Sequence, residues 1–267
     1  MFSEDQKQQF RTEGYLPVPE FWTAEEIGAM RADLQRLQDE GLLRNVATAG
    51  DGETPTNDVV NLQLCPMSPH SRLFRAMPFA DKAVEAVNDL IGSPTILHLD
   101  QVFLKPGKHG MGTNWHQDNA YFKISDPLMG TALWTAVHDA TAANGTLKVI
   151  PRAFRQKLEH SRDPNSNHHI RCYPDESQAV TVELPAGGVV FFAYGTPHST
   201  GGNNTDTDRA GVALHFLRSE YAQAEQLEDG RSYSPYVSGP MATSGETEYG
   251  ERMDWKKEVA ESLQTAA

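Results

Sequence analysis

Gly187-Gly188-Val189-Val190-Phe191-Phe192-Ala193 is the stretch on which the fold class turns. It is short, apolar and rich in β-branched and aromatic residues, which suits a buried strand. After Pro197-His198 comes a turn-forming run, Gly201-Gly202-Asn203-Asn204-Thr205-Asp206. A second apolar run then begins, Arg209-Ala210-Gly211-Val212-Ala213-Leu214-His215-Phe216. His198 and Arg209 are therefore expected on adjoining strands joined by a turn. Working outward, strands are read at 95–105, 131–138, 146–150, 179–184, 188–193 and 209–217, with Asn144-Gly145 as a hairpin signal. Short strands punctuated by turns predict a closed or two-sheet antiparallel β structure.

Upstream the pattern is helical. Ser3 can cap a helix holding Phe10, Gly14 to Val18 reads as a strand, and Thr23 with Glu25 and Glu26 opens a second helix. In that helix Ile27, Met30, Leu34 and Leu37 recur at helical spacing. Ala47 to Thr56 reads as a loop, and Phe79 to Ile91 as an amphipathic helix stopped by Gly92-Ser93-Pro94. The expected organisation is one domain: a helical part over about 1–93, a barrel over about 95–218, and a tail over 219–267 with a helix-prone end at Trp255 to Leu263.

Composition narrows the function. Apolar residues at 39% and charged residues at 22% describe a globular chain of 267 residues, long enough to bury one sizeable core. A net charge of −13 argues against nucleic acid as a partner. No apolar run approaches the roughly 18 residues a membrane span requires, and no secretory signal is evident at the start. Two cysteines, Cys65 and Cys172, make neither a disulfide framework nor a C-x-x-C metal site. A cytoplasmic protein acting on a small molecule is the expectation; nothing in the pattern specifies an oligomeric state.

The chemistry-bearing segment is Asn114-Trp115-His116-Gln117-Asp118-Asn119. On an extended chain, H-x-D places an imidazole and a carboxylate on one face. A distant second histidine would complete two nitrogens and one oxygen around a metal, the facial arrangement of non-haem Fe(II) oxygenases. Zinc binds the same three groups. Arg209, eleven residues after His198, offers a planar fork for a carboxylate. Two decoys compete. His98-Leu99-Asp100 repeats the H-x-D, and His160 to Arg171 repeats the spacing of eleven. The second is set aside because 160–171 reads as a polar loop without flanking strands; local pattern does not decide between the two H-x-D copies.

The chain resembles the phytanoyl-CoA dioxygenase family of Fe(II)- and 2-oxoglutarate-dependent oxygenases. The resemblance rests on Trp115-His116-Gln117-Asp118 with Tyr121, Leu133-Trp134-Thr135-Ala136, and Asn144-Gly145-Thr146-Leu147. It continues through Val149-Ile150-Pro151, Gly188 to Phe192, Pro197-His198, Gly201 and Arg209, in the family's order from about 95 to 218. It implies a mainly β fold, a double-stranded β-helix (the jelly-roll, cupin-type barrel) flanked by N-terminal helices. It implies Fe(II) held by His116, Asp118 and His198, with 2-oxoglutarate and O₂ as co-reactants, Arg209 on the distal carboxylate of 2-oxoglutarate, and hydroxylation of an aliphatic C–H. Because Asp118 is intact, halogenation is disfavoured; desaturation, cyclisation or epimerisation are the alternatives, as is a non-catalytic metal-containing binding module.

Other residues receive roles by position. Thr200 shares the face of His198 and can donate to the same carboxylate as Arg209. Gly211 and Ala213 leave volume for a ligand beside Arg209. Gln101 and Lys105 extend one strand face toward 2-oxoglutarate or substrate, and Trp134 can pack over the cosubstrate. Trp115, Asn119 and Tyr121 are expected to line the pocket. The segment 152–171 holds Arg152, Arg155, Lys157, Arg162 and Arg171 with His160, His168 and His169, against Glu159 and Asp163. That charge predicts an anionic substrate met by Arg162 and Arg171, with binding that improves below about pH 6.5 as the histidines charge.

Overall fold

The computed structural model describes residues 1–222 and 234–265; the remainder of the expected tail lies outside the described residues. Helix α1 (Glu4–Glu13) starts at Ser3, whose side chain and that of Gln6 form a reciprocal capping box. Gly14 closes the helix at φ 80°, a left-handed position that glycine occupies without strain. Strand β1 (Tyr15–Val18) follows, then α2 (Ala24–Asp39), capped by Thr23 and Glu26 in the same reciprocal way. Next come β2 (Arg44–Asn45), β3 (Leu62–Leu64), the short α3 (Arg72–Ala76), which sequence reading missed, and α4 (Asp81–Ile91).

The strands that follow are β4 (Thr95–Lys105), β5 (Thr113–His116), β6 (Gly130–Ala136), β7 (Leu147–Val149), β8 (Ser161–Arg162), β9 (Ile170–Arg171), β10 (Val180–Val182), β11 (Val189–Ala193), β12 (His198–Thr200) and β13 (Arg209–Arg218), of which β8 and β9 form a separate ladder. A short helix, α5 (Asn119–Phe122), follows β5. Seven strands make the larger sheet, in the order β1-β11-β6-β13-β4-β3-β2, and four make the facing sheet, β10-β7-β12-β5. All pairings between named strands are antiparallel. This is the mainly β, jelly-roll arrangement with flanking N-terminal helices that was expected.

Alternation along the strands explains both cores. In β11, Val189, Phe191 and Ala193 pack with Phe10, Met30 and Leu37 of the helices, whereas Val190 and Phe192 face the interior between the sheets. In β13, Ala210, Val212 and Leu214 face the helices, so Arg209, Gly211, Ala213 and His215 face the interior. The larger sheet thus packs apolar residues on both faces, with Arg209 and Lys105 at one end of its interior face and His98 and His215 toward the other. The C-terminal helix Trp255–Thr265 packs on α2, and Trp255 donates to Glu26 at 2.6 Å.

Three local expectations are corrected. β12 and β13 are consecutive but belong to opposite sheets, so the turn after Thr200 crosses the barrel instead of closing a hairpin. Asn144-Gly145 likewise turns between β6 and β7 in different sheets. The 160–171 segment is not strandless, because β8 and β9 pair as a two-residue ladder, Ser161 with Arg171 and Arg162 with Ile170.

Candidate metal centre

His116 and His198 stand directly opposite each other where β5 pairs with β12. Strand β5 ends at His116, and Asp118 has helical backbone angles, φ −57° and ψ −33°. The carboxylate therefore returns beside the imidazoles through a strand-to-helix turn, not through strand alternation. One ligand atom from each of His116, Asp118 and His198 lies within 4.8 Å of the others, and all three residues are buried. Nδ1 of His116 sits 2.9 Å from the carbonyl of Asn114, and Nδ1 of His198 sits 3.0 Å from that of Thr196. Each Nδ1–H donates to that carbonyl, which leaves both Nε2 atoms free as metal donors. These are each 3.7 Å from Oδ1 of Asp118.

The electrostatics suit a cation. Burial, helped by His198, pushes His116 down to about 3, so its imidazole is neutral near neutrality. Burial alone would raise Asp118, but His198, His215 and His116 hold it well below the usual carboxylate range. Two imidazole nitrogens and one carboxylate are a donor set that fits Fe(II).

Sequence reading missed His215. Its Nε2 is 3.2 Å from Oδ2 of Asp118, the oxygen turned away from the histidine pair. Partners of this kind orient a metal-binding carboxylate, and losing one typically costs about 10- to 100-fold in metal affinity. His215→Ala is expected to weaken binding by that order in a calorimetric titration with Co(II); an unchanged dissociation constant would refute the role. The available signal was period two, since 209, 211, 213 and 215 share one face.

The rival H-x-D separates in space. A bulge between β4 and β13 beside His215 turns His98 inward, where its ring lies 4.2 Å from that of Phe122. Asp100 instead accepts from the backbone N–H of Ser68 at 2.7 Å.

Farther along the same interior face, Lys105 and Arg209 stand directly opposite each other across β4 and β13, both almost wholly buried. Like charges in that register repel. Lys105 donates to Oγ1 of Thr200 at 2.5 Å and to the carbonyl of Gly201 at 2.7 Å. Arg209 donates to the carbonyls of Asn144 and Gly145. Among the described residues no carboxylate acts on either cation; burial lowers Arg209 to about 10, and burial followed by Arg209 holds Lys105 well below its ordinary value. Trp134 covers this end, its ring 5.7 Å from the Arg209 guanidinium carbon. It also fills the space at Gly211, where a Cβ would meet the indole at 2.6 Å, so Gly211 makes room for Trp134, not for a ligand. Gln101 accepts from Nε2 of Gln63 at 3.0 Å.

The remaining expected pocket residues divide. Trp115 faces outward into a cluster with Ile150, Ala153 and Cys172, away from the metal ligands. Asn119 staples its own turn to Ile124 and borders an outer cleft of about 960 Å³ that none of the three metal ligands lines. Tyr121 stays near the centre, its ring 6.4 Å from that of His116. Arg162 donates to the carbonyls of Gly52 and Asn167, joining two loops. Arg152 pairs with Glu13 and Arg155 with Asp126, so the basic residues of 152–171 do not form one patch. Nor do its histidines supply charge: burial lowers His160 and His168, and His169 well below the ordinary value. The improvement of binding below pH 6.5 is therefore withdrawn.

A profile described as phytanoyl-CoA dioxygenase matches residues 10–211. The chain is 23% identical to an ectoine dioxygenase of Stutzerimonas stutzeri over 227 residues, 77% of this chain and 73% of that protein. It is 25% identical to the peroxisomal phytanoyl-CoA dioxygenase of Rattus norvegicus over 240 residues, 82% and 70% of the two chains. In fold it is similar to the α-ketoglutarate-dependent carbocyclase SnoK of nogalamycin biosynthesis, with TM-score 0.68 at 18% identity over 95% and 92% of the chains. It is also similar to EctD from S. alaskensis, solved with 2-oxoglutarate and 5-hydroxyectoine, with TM-score 0.65 at 20% identity over 82% and 77%.

Proposed function

The chain belongs to the phytanoyl-CoA dioxygenase family of Fe(II)/2-oxoglutarate-dependent oxygenases, and from that premise we propose that it hydroxylates an aliphatic C–H of a small anionic molecule. The observation that carries the reading is the pairing of two sites in the interior between the sheets. A buried His116-Asp118-His198 cluster lies at one end, and Lys105 and Arg209, two buried cations without an anion, at the other. Such cations are tolerated where a ligand supplies the missing charge, and 2-oxoglutarate carries a carboxylate at each end.

His116, Asp118 and His198 would hold iron, with Asp118 oriented by His215. Arg209 and Lys105 would hold the distal carboxylate of 2-oxoglutarate, while Thr200, already accepting from Lys105, would place its hydroxyl beside it. Trp134 would shield that end from water, which strengthens each charge contact. When bound, iron and 2-oxoglutarate supply the oxidising chemistry, in which O₂ and 2-oxoglutarate are consumed, succinate and CO₂ leave, and C–H becomes C–OH. Gln101, on the same strand face and held by Gln63, would border 2-oxoglutarate or the substrate.

The test is a screen of small-molecule pools scored by succinate release and O₂ uptake. A compound that stimulates both in equal amounts and gains one oxygen atom supports hydroxylation. A product lighter by two hydrogens, or isomeric with its substrate, moves the reading to desaturation, cyclisation or epimerisation. A protein that binds metal yet never consumes O₂ with 2-oxoglutarate is a binding module, and the proposal fails.

A further inference from the structure

The β8–β9 hairpin leaves two buried nitrogens without hydrogen-bond partners, Nε2 of His169 beside the metal centre and, two residues on, Nε of Arg171. The His169 ring lies 6.0 Å from that of His116 and 5.5 Å from that of Phe103. Phe103 opposes Gly211 on the interior face, between the levels of Gln101 and Lys105. His169 thus borders the space between the metal cluster and the larger sheet. The hairpin is fixed there: Asn114 donates to Asp163 at 2.9 Å, and Cys172 donates its N–H to the carbonyl of Trp115 at 2.7 Å. A buried polar atom left unpaired is costly, so its presence beside a reaction centre points to a ligand that satisfies it.

Tyr121 determines what His169 offers. The phenol oxygen accepts from the N–H of Ile170 at 2.9 Å and lies 3.5 Å from Nδ1 of His169. With one lone pair taken by Ile170, the Tyr121 O–H is oriented to donate to Nδ1, an arrangement that requires the tautomer with its ring proton on Nε2 and makes that atom a donor. Arg171 is two residues along, on the same strand face, with its guanidinium 5.3 Å from the Tyr173 ring centre. Arg162, by contrast, has spent its terminal nitrogen on Gly52 and Asn167.

We propose that His169 and Arg171 are the specificity-determining pair of this site, selecting a substrate that carries an oxyanion, carboxylate or phosphoryl, close to the carbon that is oxidised. A neutral donor and a cation converge on the same group only if it accepts hydrogen bonds and bears negative charge; an ammonium meets repulsion from both. This inference rests on the oxygenase reading above.

The test uses full-length protein loaded with Zn(II), which keeps the sample unreactive and diamagnetic, and with 2-oxoglutarate. Long-range ¹⁵N–¹H correlation spectra, assigned with His169→Phe, read the His169 tautomer. The expected result is the Nε2–H form in the wild type and its loss of dominance in Tyr121→Phe. Hexanoate, hexylphosphonate, hexanamide and hexylammonium are then titrated as matched probes. The carboxylate or the phosphonate is expected to shift Nε2 of His169 and to bind roughly 10-fold or more tighter than the amide and the ammonium. Which of the two binds better separates the two oxyanion chemistries. His169→Phe and Arg171→Met should each reduce that preference while leaving 2-oxoglutarate uptake unchanged. An Nδ1–H tautomer in the wild type, binding of none of the four, equal binding of all, or a preference that survives both substitutions overturns the proposal. Failure of the oxygenase reading looks different: the wild-type sample then takes up no 2-oxoglutarate before any probe is added, and both readings fall.

Discussion

Replacing His116 or His198 by alanine is expected to abolish substrate-triggered succinate release, whereas His98→Ala retains it. Each ligand histidine presents its Nε2, because a backbone carbonyl takes the Nδ1 proton, and at His116 burial also opposes protonation. Removing either leaves two donors, too few to hold a metal whose remaining positions must stay open for ligands. Both residues sit at a strand pairing whose backbone hydrogen bonds do not depend on the side chain. The fold should therefore survive, and circular dichroism with thermal melting checks it. His98 is half-buried, and burial pushes it down to about 4, but it packs on Phe122 and Tyr194 and is no member of the ligand cluster. Turnover near wild type in His116→Ala, with loss in His98→Ala, would reverse the assignment of the metal centre.

How far the sequence could be read depended on whether the physics was local. Strands β11 and β13 were visible because both of their faces are apolar, and so their runs are continuous. Helices α1 and α2 were visible because Ser3 and Thr23 carry their caps in the chain itself. The β8–β9 ladder was not, since four residues including Ser161 and two arginines carry no alternation, and its support comes from Asn114 and Tyr121 in distant elements.

Errors in the site share one cause. Alternation was carried through the H-x-D segment, but β5 ends at His116. Trp115 was expected in the pocket although period two puts it on the face opposite His116, where it packs with Ile150, Ala153 and Cys172, and Asn119 was misplaced because it folds back on Ile124. His215 was hidden for the complementary reason. Its strand face was readable, but its partner Asp118 is 97 residues away, and no local pattern encodes that distance. Arg209 stood out because an arginine opening an apolar strand is anomalous by itself, whereas Lys105 was read only as extending one strand face. That the two are like-charged neighbours in register required the pairing of β4 with β13 to be known.

That pair carries the second large effect. Arg209→Ala is expected to weaken 2-oxoglutarate binding on the order of 10- to 100-fold, from a charge-assisted contact of about 1.5–3 kcal/mol, with metal affinity nearly unchanged. Lys105→Met should weaken it too, but with an opposite effect on the empty protein. A buried amine whose charging burial and Arg209 both oppose adds little until an anion arrives, so its removal should leave thermal stability equal or higher without 2-oxoglutarate. The sign of the pH dependence follows from the same arrangement. In the empty site burial, then Arg209, lowers the Lys105 pKa; a bound carboxylate favours the charged amine and raises it again. Wild-type binding should therefore take up a proton, and affinity should strengthen as pH falls toward the empty-site value. Calorimetry in buffers of different ionisation enthalpy measures that uptake, and Lys105→Met should lose it. An Arg209→Ala protein with an unchanged dissociation constant for 2-oxoglutarate would make Arg209 a structural link to the Asn144-Gly145 turn. Wild-type binding without proton uptake would mean that Lys105 is already charged, with Thr200 and Gly201 enough to hold it so.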